Sequence, residues 1–419
     1  MANGTTGTVA GRPQPQTTAE PAGGPFVRHA PDGRRAMYVA AGAAQGTSAA
    51  QFVANPMVSS PGWNKGYRCL TALAGGTSTA IGTIAADAPY NFHQLVQMKD
   101  AFGTQLLTGP GYNISYEVPL YSGQFGIDET RSPNNLPSFA PVNSTNGAGG
   151  DQFTFPTYFP FEFAKGYGVI SGANAALLPV LQINLAAITT VASGSTFSTF
   201  PASTLTVDSD FYWLPNVPAD PPGIGTTCQW IFQPCNPTIP SAASTLVQLP
   251  RLGGYLTVLI LELRNSAGIR VGEGSTTQAG SGAATLDSGT GWPTRPKILV
   301  DGVPLIDSLF TTMQDDLAIS QQIGAFNGNN IATAGGTPNG TAQSFRPLGT
   351  IAISRKTSLA QRDFGLFETG EIFLSTNPGT QIEVAGYPWG TVTTGPMTLN
   401  VVVGQVVPSG ALVRGLPEA

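Results

Sequence analysis

Leu249-Pro250-Arg251-Leu252-Gly253-Gly254-Tyr255-Leu256-Thr257-Val258-Leu259-Ile260-Leu261-Glu262-Leu263 decides how the chain is divided. Pro250 and the Gly253-Gly254 pair punctuate a turn. From Leu256 to Leu263 the only polar side chains are Thr257 and Glu262. A run this short, rich in β-formers and bounded by turn residues, reads as a strand covered on both faces. Periodicity alone would also allow a buried helical segment, but Gly253-Gly254 and Asn265-Ser266-Ala267-Gly268 leave too little length for one. The strand is read as the opening of a second barrel, with a first barrel of similar size before it.

Composition supports many short strands. The chain has 419 residues, room for two domains and a large core. Its 52 Gly and 35 Pro make up about a fifth of it, well above ordinary usage. Charged residues are only 10% while hydrophobic ones are 41%, so the chain is not of the disordered type. A soluble monomer relies on surface charge, so a surface this poor in charge is expected to be covered by other subunits. The other reading of the composition is a secreted Ser/Thr/Gly-rich β-protein.

The net charge of −5 argues against general nucleic-acid binding, which needs a basic face. Met1-Ala2-Asn3-Gly4-Thr5-Thr6 opens a polar tail rather than a basic and apolar leader. No apolar run approaches the length of a membrane-spanning helix. Cys69, Cys228 and Cys235 are too few for a disulfide framework. Cys228 and Cys235 flank a Pro-containing loop and could pair, but free buried thiols, suited to a reducing cytoplasm, are the expectation.

Three divisions follow. Residues 1–50 form an N-terminal arm, locally basic through Arg28, Arg34 and Arg35, which reads either as a flexible terminus or as an arm ordered only against a neighbouring subunit or an anionic inner surface. Residues 51–240 form the first barrel and 241–419 the second. In the first, Gln94–Met98 is a strand leading into an Asp100/Gly103 turn. Tyr112–Val118 alternates as a strand should. Phe153–Phe163 is an aromatic strand whose prolines suit a sheet edge. Leu181, Ile183 and Leu185 point inward, and Leu205–Val207 opens a strand running to Trp213. Pro215–Pro240, with seven prolines, reads as the connector between domains. In the second half, Pro296–Leu305 repeats the pattern of apolar strand, Asp/Gly turn and apolar strand around Asp301. Ile306, Leu309, Phe310, Met313 and Leu317 follow helical spacing. Strands are expected at Thr350–Ile353, Glu371–Leu374, Gln381–Val384 and Leu399–Val403, with Asn377-Pro378-Gly379 as a turn.

The chemistry of catalysis is thin. His29 lies in the arm and His93 precedes a strand; neither stands in a Ser-His-Asp or Cys-His pattern. A His93–Cys69 pairing is the one cysteine arrangement to consider, against a hydrogen-bonded core histidine. Asp208 with Asp210, and Asp315 with Asp316, are carboxylate pairs that could bind calcium, but they lack ligand spacing and read as solvated. No metal, phosphate or nucleophile-elbow motif occurs. The expectation is no catalytic, cofactor-binding or metal-binding residue, no cofactor and no enzymatic activity.

The order of elements resembles the double jelly-roll major capsid proteins of tailless, icosahedral, membrane-containing double-stranded DNA bacteriophages, the tectivirus-like group. The resemblance rests on Leu95-Val96-Gln97-Met98-Lys99-Asp100 with Gly103. It continues in Phe159-Pro160-Phe161-Glu162-Phe163 through Gly168-Val169-Ile170 to Leu181-Gln182-Ile183-Asn184-Leu185. In the second half it rests on Gly254–Leu263 and Ile372-Phe373-Leu374 with Gln381. It covers two-thirds or more of the chain.

The resemblance implies an all-β chain of two side-by-side eight-stranded jelly rolls with short helices in loops. It implies a homotrimer with a six-cornered outline that tiles a virion capsid, and neighbouring capsomers and a vertex (penton) protein as partners. An internal lipid membrane could meet the N-terminal arm, and no sequence-specific nucleic-acid contact is implied. Synthesis would be in the host bacterial cytoplasm. The alternatives are a minor virion protein, such as a spike or vertex β-protein, or a secreted carbohydrate-binding or carbohydrate-active β-protein.

Overall fold

The computed structural model describes residues 32–44, 51–54, 62–80, 83–85, 87–121, 153–162, 168–172, 178–193, 196–213, 226–250, 255–271, 286–313, 325–326, 343–344, 349–354, 374–375 and 380–408. Sixteen strands in this set carry the architecture. The first eight are β1 (Asp32–Ala44), β2 (Gln51–Ala54), β3 (Gly62–Ala74), β4 (His93–Lys99), β5 (Gln105–Gly109), β6 (Phe153–Pro160), β7 (Val180–Leu185) and β8 (Ala202–Trp213). The second eight are β9 (Thr226–Pro234), β10 (Thr245–Gln248), β11 (Tyr255–Arg264), β12 (Lys297–Val300), β13 (Val303–Asp307), β14 (Thr350–Ser354), β15 (Ile382–Gly386) and β16 (Thr398–Pro408).

The first eight pair in the orders β1-β8-β3-β6 and β2-β7-β4-β5. The second eight pair as β9-β16-β11-β14 and β10-β15-β12-β13. Adding eight to each strand of the first set gives the second, so each half is one jelly roll with the same winding. The correspondence reaches small features. Ile170–Ser171, between β6 and β7, pairs with the start of β3 at Trp63 and Asn64. Leu374–Ser375, between β14 and β15, pairs with the start of β11 at Tyr255 and Leu256. Asp100 follows β4 and Asp301 follows β12, so both stand in the turn that opens toward the fifth strand of their roll.

These two turns are built differently. Asp301 and Gly302 both have positive φ, +49° and +77°, between paired Val300 and Val303. That is the two-residue turn an Asp-Gly step favours. The Asp100 turn is longer, and the Asp100 carboxylate accepts from the backbone N–H groups of Phe102 (2.9 Å) and Thr104 (2.7 Å).

β11 shows how a strand rich in apolar side chains serves two cores. Leu259, Leu261 and Leu263 enter the second roll's own core with Trp389, Leu399 and Val401. Val258 and Ile260 point the other way, into the cluster of the first roll with Phe155, Leu181 and Leu205. Leu256 breaks this parity by joining the second core, because a register shift between Leu256 and Val258 inserts one residue. The strand is therefore covered on both faces, but it is the third strand of its roll and not the first.

The divisions expected from the sequence shift accordingly. Residues 32–44, within the expected arm, are β1 and pair along β8 from Asp32↔Tyr212 to Ala44↔Ala202. Thr226–Pro234, within the expected Pro215–Pro240 connector, is β9, central in its sheet between β5 and β16. Six of the seven prolines in that stretch lie outside the strand and Pro234 ends it, so the ladder loses no interior donor. The second roll thus begins at Thr226, ahead of the expected 240/241 boundary.

Two elements differ in type. Tyr112–Glu117 is π-helical and Val118–Tyr121 α-helical, not a strand. Every residue from Tyr112 to Glu117 is buried, so its alternation marked no solvent face. The helix expected from Ile306 starts later: Ile306 is in β13 opposite Ile298, and helical residues begin at Phe310. Leu317, Asp315, Asp316 and the Asn377-Pro378-Gly379 turn lie outside the described residues, as do residues 1–31 with Arg28 and His29. No helix among the described residues is long and apolar enough to cross a membrane.

Candidate functional site: the seam between the two rolls

The two rolls are joined by backbone and by packing. β5 of the first roll pairs in parallel with β9 of the second, Leu107 opposite Trp230 and Thr108 opposite Ile231. The Gln229 side-chain amide also donates to the Gln105 carbonyl across this joint. The sheet β2-β7-β4-β5 therefore continues across the joint into β9-β16-β11-β14. On its outer side the second roll's sheet offers Cys228, Trp230, Val258, Ile260, Ala352 and Val402, all buried in the first roll's cluster. Covering Val258 and Ile260 fully stabilises by roughly 1.5–3 kcal/mol each.

The 112–121 segment lies against this joint, following β5 directly. Its entry requires glycine. A Cβ on Gly111 would stand 2.1 Å from the His93 carbonyl oxygen and 2.4 Å from that of Tyr90. The chain there turns hard against the 3-10 helix Tyr90–Phe92 and β4.

At the edge of the apolar contact sits a buried ionic network with members from both rolls. Arg264 of β11 donates through Nη1 to Asp87 Oδ2 of the first roll at 2.7 Å. Arg270, fully buried, approaches Asp87 Oδ1 through Nε at 3.2 Å and lies 4.6 Å from the centroid of the Tyr112 ring. Arg264 also pairs with Glu262, with Nε on Oε1 and Nη2 on Oε2 at 3.1 Å. The Asn113 amide donates to Glu117 Oε2 at 2.7 Å and to Glu262 Oε2 at 3.2 Å, linking a carboxyl from each roll. Thr350 Oγ1 donates to Glu117 Oε1 at 3.1 Å.

Charge in this network settles by environment. Burial pushes the Glu117 carboxyl up, the neighbouring Glu262 charge pushes it further, and it stands well above the usual carboxylate range. Burial raises Asp87 too, but the guanidiniums of Arg264 and Arg270 outweigh that and hold it below its ordinary value. A network of this kind adds little net stability over apolar packing, while losing one member is costly. A cleft of about 330 Å³ opens beside it, lined by Asn91, Gln94, Thr190, Phe232 and Asn400.

The residues singled out from the sequence fall elsewhere. His93 is buried inside the first roll, its Nε2 2.8 Å from Thr71 Oγ1 and its Nδ1 2.8 Å from Ser115 Oγ. Both ring nitrogens are thus engaged by hydroxyls, and Cys69 is not its partner. Burial pulls the imidazole down to about 3, so it is neutral at physiological pH. It is the hydrogen-bonded core histidine, tying β3 to the 112–121 segment. Cys228 and Cys235 are both free and buried, as is Cys69.

Asp210 is not a solvated carboxylate. Arg34 Nε donates to its Oδ1 at 2.8 Å and Arg68 Nη2 to its Oδ2 at 2.7 Å. Arg34 therefore has a partner on β8 and is not a free basic residue of the arm. Asp208, two residues back on the outer face, is partly exposed. Among the described residues no group of three or more His, Cys, Asp or Glu side chains could hold a metal ion. Nothing in the sequence marks the seam network, apart from Glu262 as a charge inside an apolar strand.

No protein-family model matches the chain, and no curated protein sequence does. Solved structures do. The crystal structure of the major capsid protein of Sulfolobus turreted icosahedral virus superposes with a TM-score of 0.53 at 11% identity, covering 92% of this chain and 100% of that one. The chain in the quasi-atomic model of the PBCV-1 virus capsid gives 0.51 at 14% identity, over 90% and 94%. This is the double jelly-roll fold of viral major capsid proteins. At such identities the likeness lies in the winding, and side chains such as the Asp87–Arg264 pair have to be read from this chain itself.

Proposed function

We propose that this chain is the major shell protein of an icosahedral virus, a structural role with no enzymatic activity of its own. The observation that carries it is the eight-strand repeat across residues 32–408, wound as in viral capsid proteins over nine-tenths of the chain. Three copies supply six near-equivalent rolls, enough for a capsomer with a six-cornered outline that tiles a shell beside like capsomers and a separate vertex protein. The charged fraction of 10% supports this reading, since a subunit covered on several sides needs little solubilising charge. Full engagement of His93 by Thr71 and Ser115 supports the non-enzymatic part.

The finer assignment is to a tailless double-stranded DNA bacteriophage with an internal membrane. The chain would be made in the host cytoplasm, where the free thiols of Cys69, Cys228 and Cys235 suit a reducing environment. Residues 1–31, with Arg28, which lie outside the described residues, would supply the contact with the inner membrane or an acidic neighbour. Size-exclusion chromatography with light scattering on the purified chain tests the trimer. Imaging of purified particles, with this chain measured as their most abundant protein, tests the shell role and the membrane. A monomer at high concentration, or a minor share of particle protein, would defeat it.

A further inference from the structure

The cleft beside the seam network has walls from both rolls. Asn91, Tyr112 and Asn113 come from the first, and Phe232 of β9, Arg264 of β11 and Asn400 of β16 from the second. Its volume of about 330 Å³ falls at the small end of small-molecule sites, which run from roughly 300 to 1,000 Å³.

Three polar atoms of these wall residues need a partner. Asn91 Oδ1, Tyr112 Oη and Asn113 Oδ1 are buried and meet no hydrogen-bond partner among the described residues. Tyr112 is 4% exposed and Asn113 1%, so neither is served by bulk solvent. Both amides are held with the oxygen as the open end. Asn91 Nδ2 donates to the Thr190 carbonyl at 2.9 Å, and Asn113 Nδ2 donates to Glu117 and Glu262. Buried polar groups are nearly always satisfied, so three orphans on one cleft point to a molecule that brings donors.

The rest of the wall selects its chemistry. Asp87 and Arg264 are bonded to each other at 2.7 Å, so neither offers an ion an unpaired partner. Pro110, Ala186 and the half-buried Phe232 add apolar surface. Hydroxyl groups on a compact carbon framework match both features, with O–H groups for the orphaned oxygens and C–H faces for Phe232 and Pro110. We propose that this cleft binds a neutral polyhydroxylated molecule no larger than a monosaccharide. The site is independent of the shell role. Because its walls belong to both rolls, the bound molecule favours the docked pair. A ligand held only by the folded chain, at 100 times its Kd, raises the folded-to-unfolded ratio about 100-fold.

Isothermal titration and saturation-transfer NMR on the full chain, with glycerol, myo-inositol and glucose as probes, test the site. At least one of the three should bind saturably, with one molecule per chain. Ala186→Leu fills the cleft and should abolish binding. Asn91→Leu, at a half-buried position, should weaken it about tenfold by removing one acceptor. Circular dichroism checks that both variants fold as the parent does, and should one misfold, the other decides. Methylammonium and acetate serve as charged comparisons and should not bind in the cleft. Unchanged polyol affinity in the folded variants would place the site elsewhere. Binding of the ions alone would make the chemistry wrong, and binding of no probe would mean that the cleft holds water only. Each of these three results overturns the proposal.

Discussion

Arg264 of the second roll and Asp87 of the first are bonded at 2.7 Å, 177 residues apart, with both side chains mostly buried. The same Asp87 carboxylate also meets Arg270, so one acidic side chain from a turn in the first roll holds two guanidiniums from the second.

Asp87→Ala should therefore destabilise the protein by about 3–5 kcal/mol, because Arg270 is left buried without its carboxylate. Arg264→Met should cost less, since Asp87 retains Arg270 and Glu262 retains the Asn113 amide. Urea unfolding of the two variants checks the order. Equal losses would mean that Asp87 does not anchor both arginines.

Glu117→Gln should change the pH dependence of stability. The folded carboxyl titrates above its ordinary value, so its stabilising contribution is full below the unfolded pKa of 4.5 and is lost as pH rises through the folded value. The advantage of the native chain over Glu117→Gln should shrink steadily from pH 4.5 upward. An advantage that grew with pH would mean that Glu117 is ionised in the fold.

His93 acts in the opposite direction. Its imidazole falls from 6.5 to about 3 on burial, so its contribution is present above pH 6.5 and is lost as pH drops toward 3. Between these limits the native chain should lose stability by up to about 1.4 kcal/mol per pH unit relative to His93→Gln. Denaturant titrations at pH 7, 6, 5 and 4 on both chains supply the comparison. Parallel stability curves would show that the ring is protonated without penalty.

Ile260→Asp should uncouple the two rolls. Ile260 is on a second-roll strand but packs in the first roll's cluster, so the native chain should unfold in one cooperative transition. A buried unpaired carboxylate there disfavours the seam without touching the inner face of β11. Calorimetry should show two transitions in the variant. Leu261→Ala, on the opposite face, should instead cost about 2–5 kcal/mol and keep a single transition.

Deleting residues 1–31 leaves β1 whole and tests the arm. The truncated chain should still form trimers but assemble poorly into closed shells, as judged by sedimentation and imaging. Normal shells would make the arm a passive tail.

What the sequence determined by itself was the alphabet of the fold. Period-two alternation in Leu181, Ile183 and Leu185, the two-sided apolar run from Leu256, and the turn chemistry at Asp100 and Asp301-Gly302 are local properties, and each was legible because its physical cause lies within a few residues. The Asp100/Asp301 spacing even marked equivalent turns of two rolls.

What only the tertiary structure decided was which element meets which. Tyr112–Val118 alternates like a strand but is helical, because burial on all sides removes the solvent face that gives alternation its meaning. Thr226–Pro234 sits among prolines yet is a central strand, since only its final residue lacks a donor. β1 was hidden in a Gly- and Ala-rich stretch because its pairing energy comes from β8, more than 150 residues away. Apart from Glu262, set inside an apolar strand, the seam network was invisible for the same reason. Asp87, Glu117, Arg264 and Arg270 are ordinary charges in sequence, and only the docking of two rolls removes the water that would otherwise surround them.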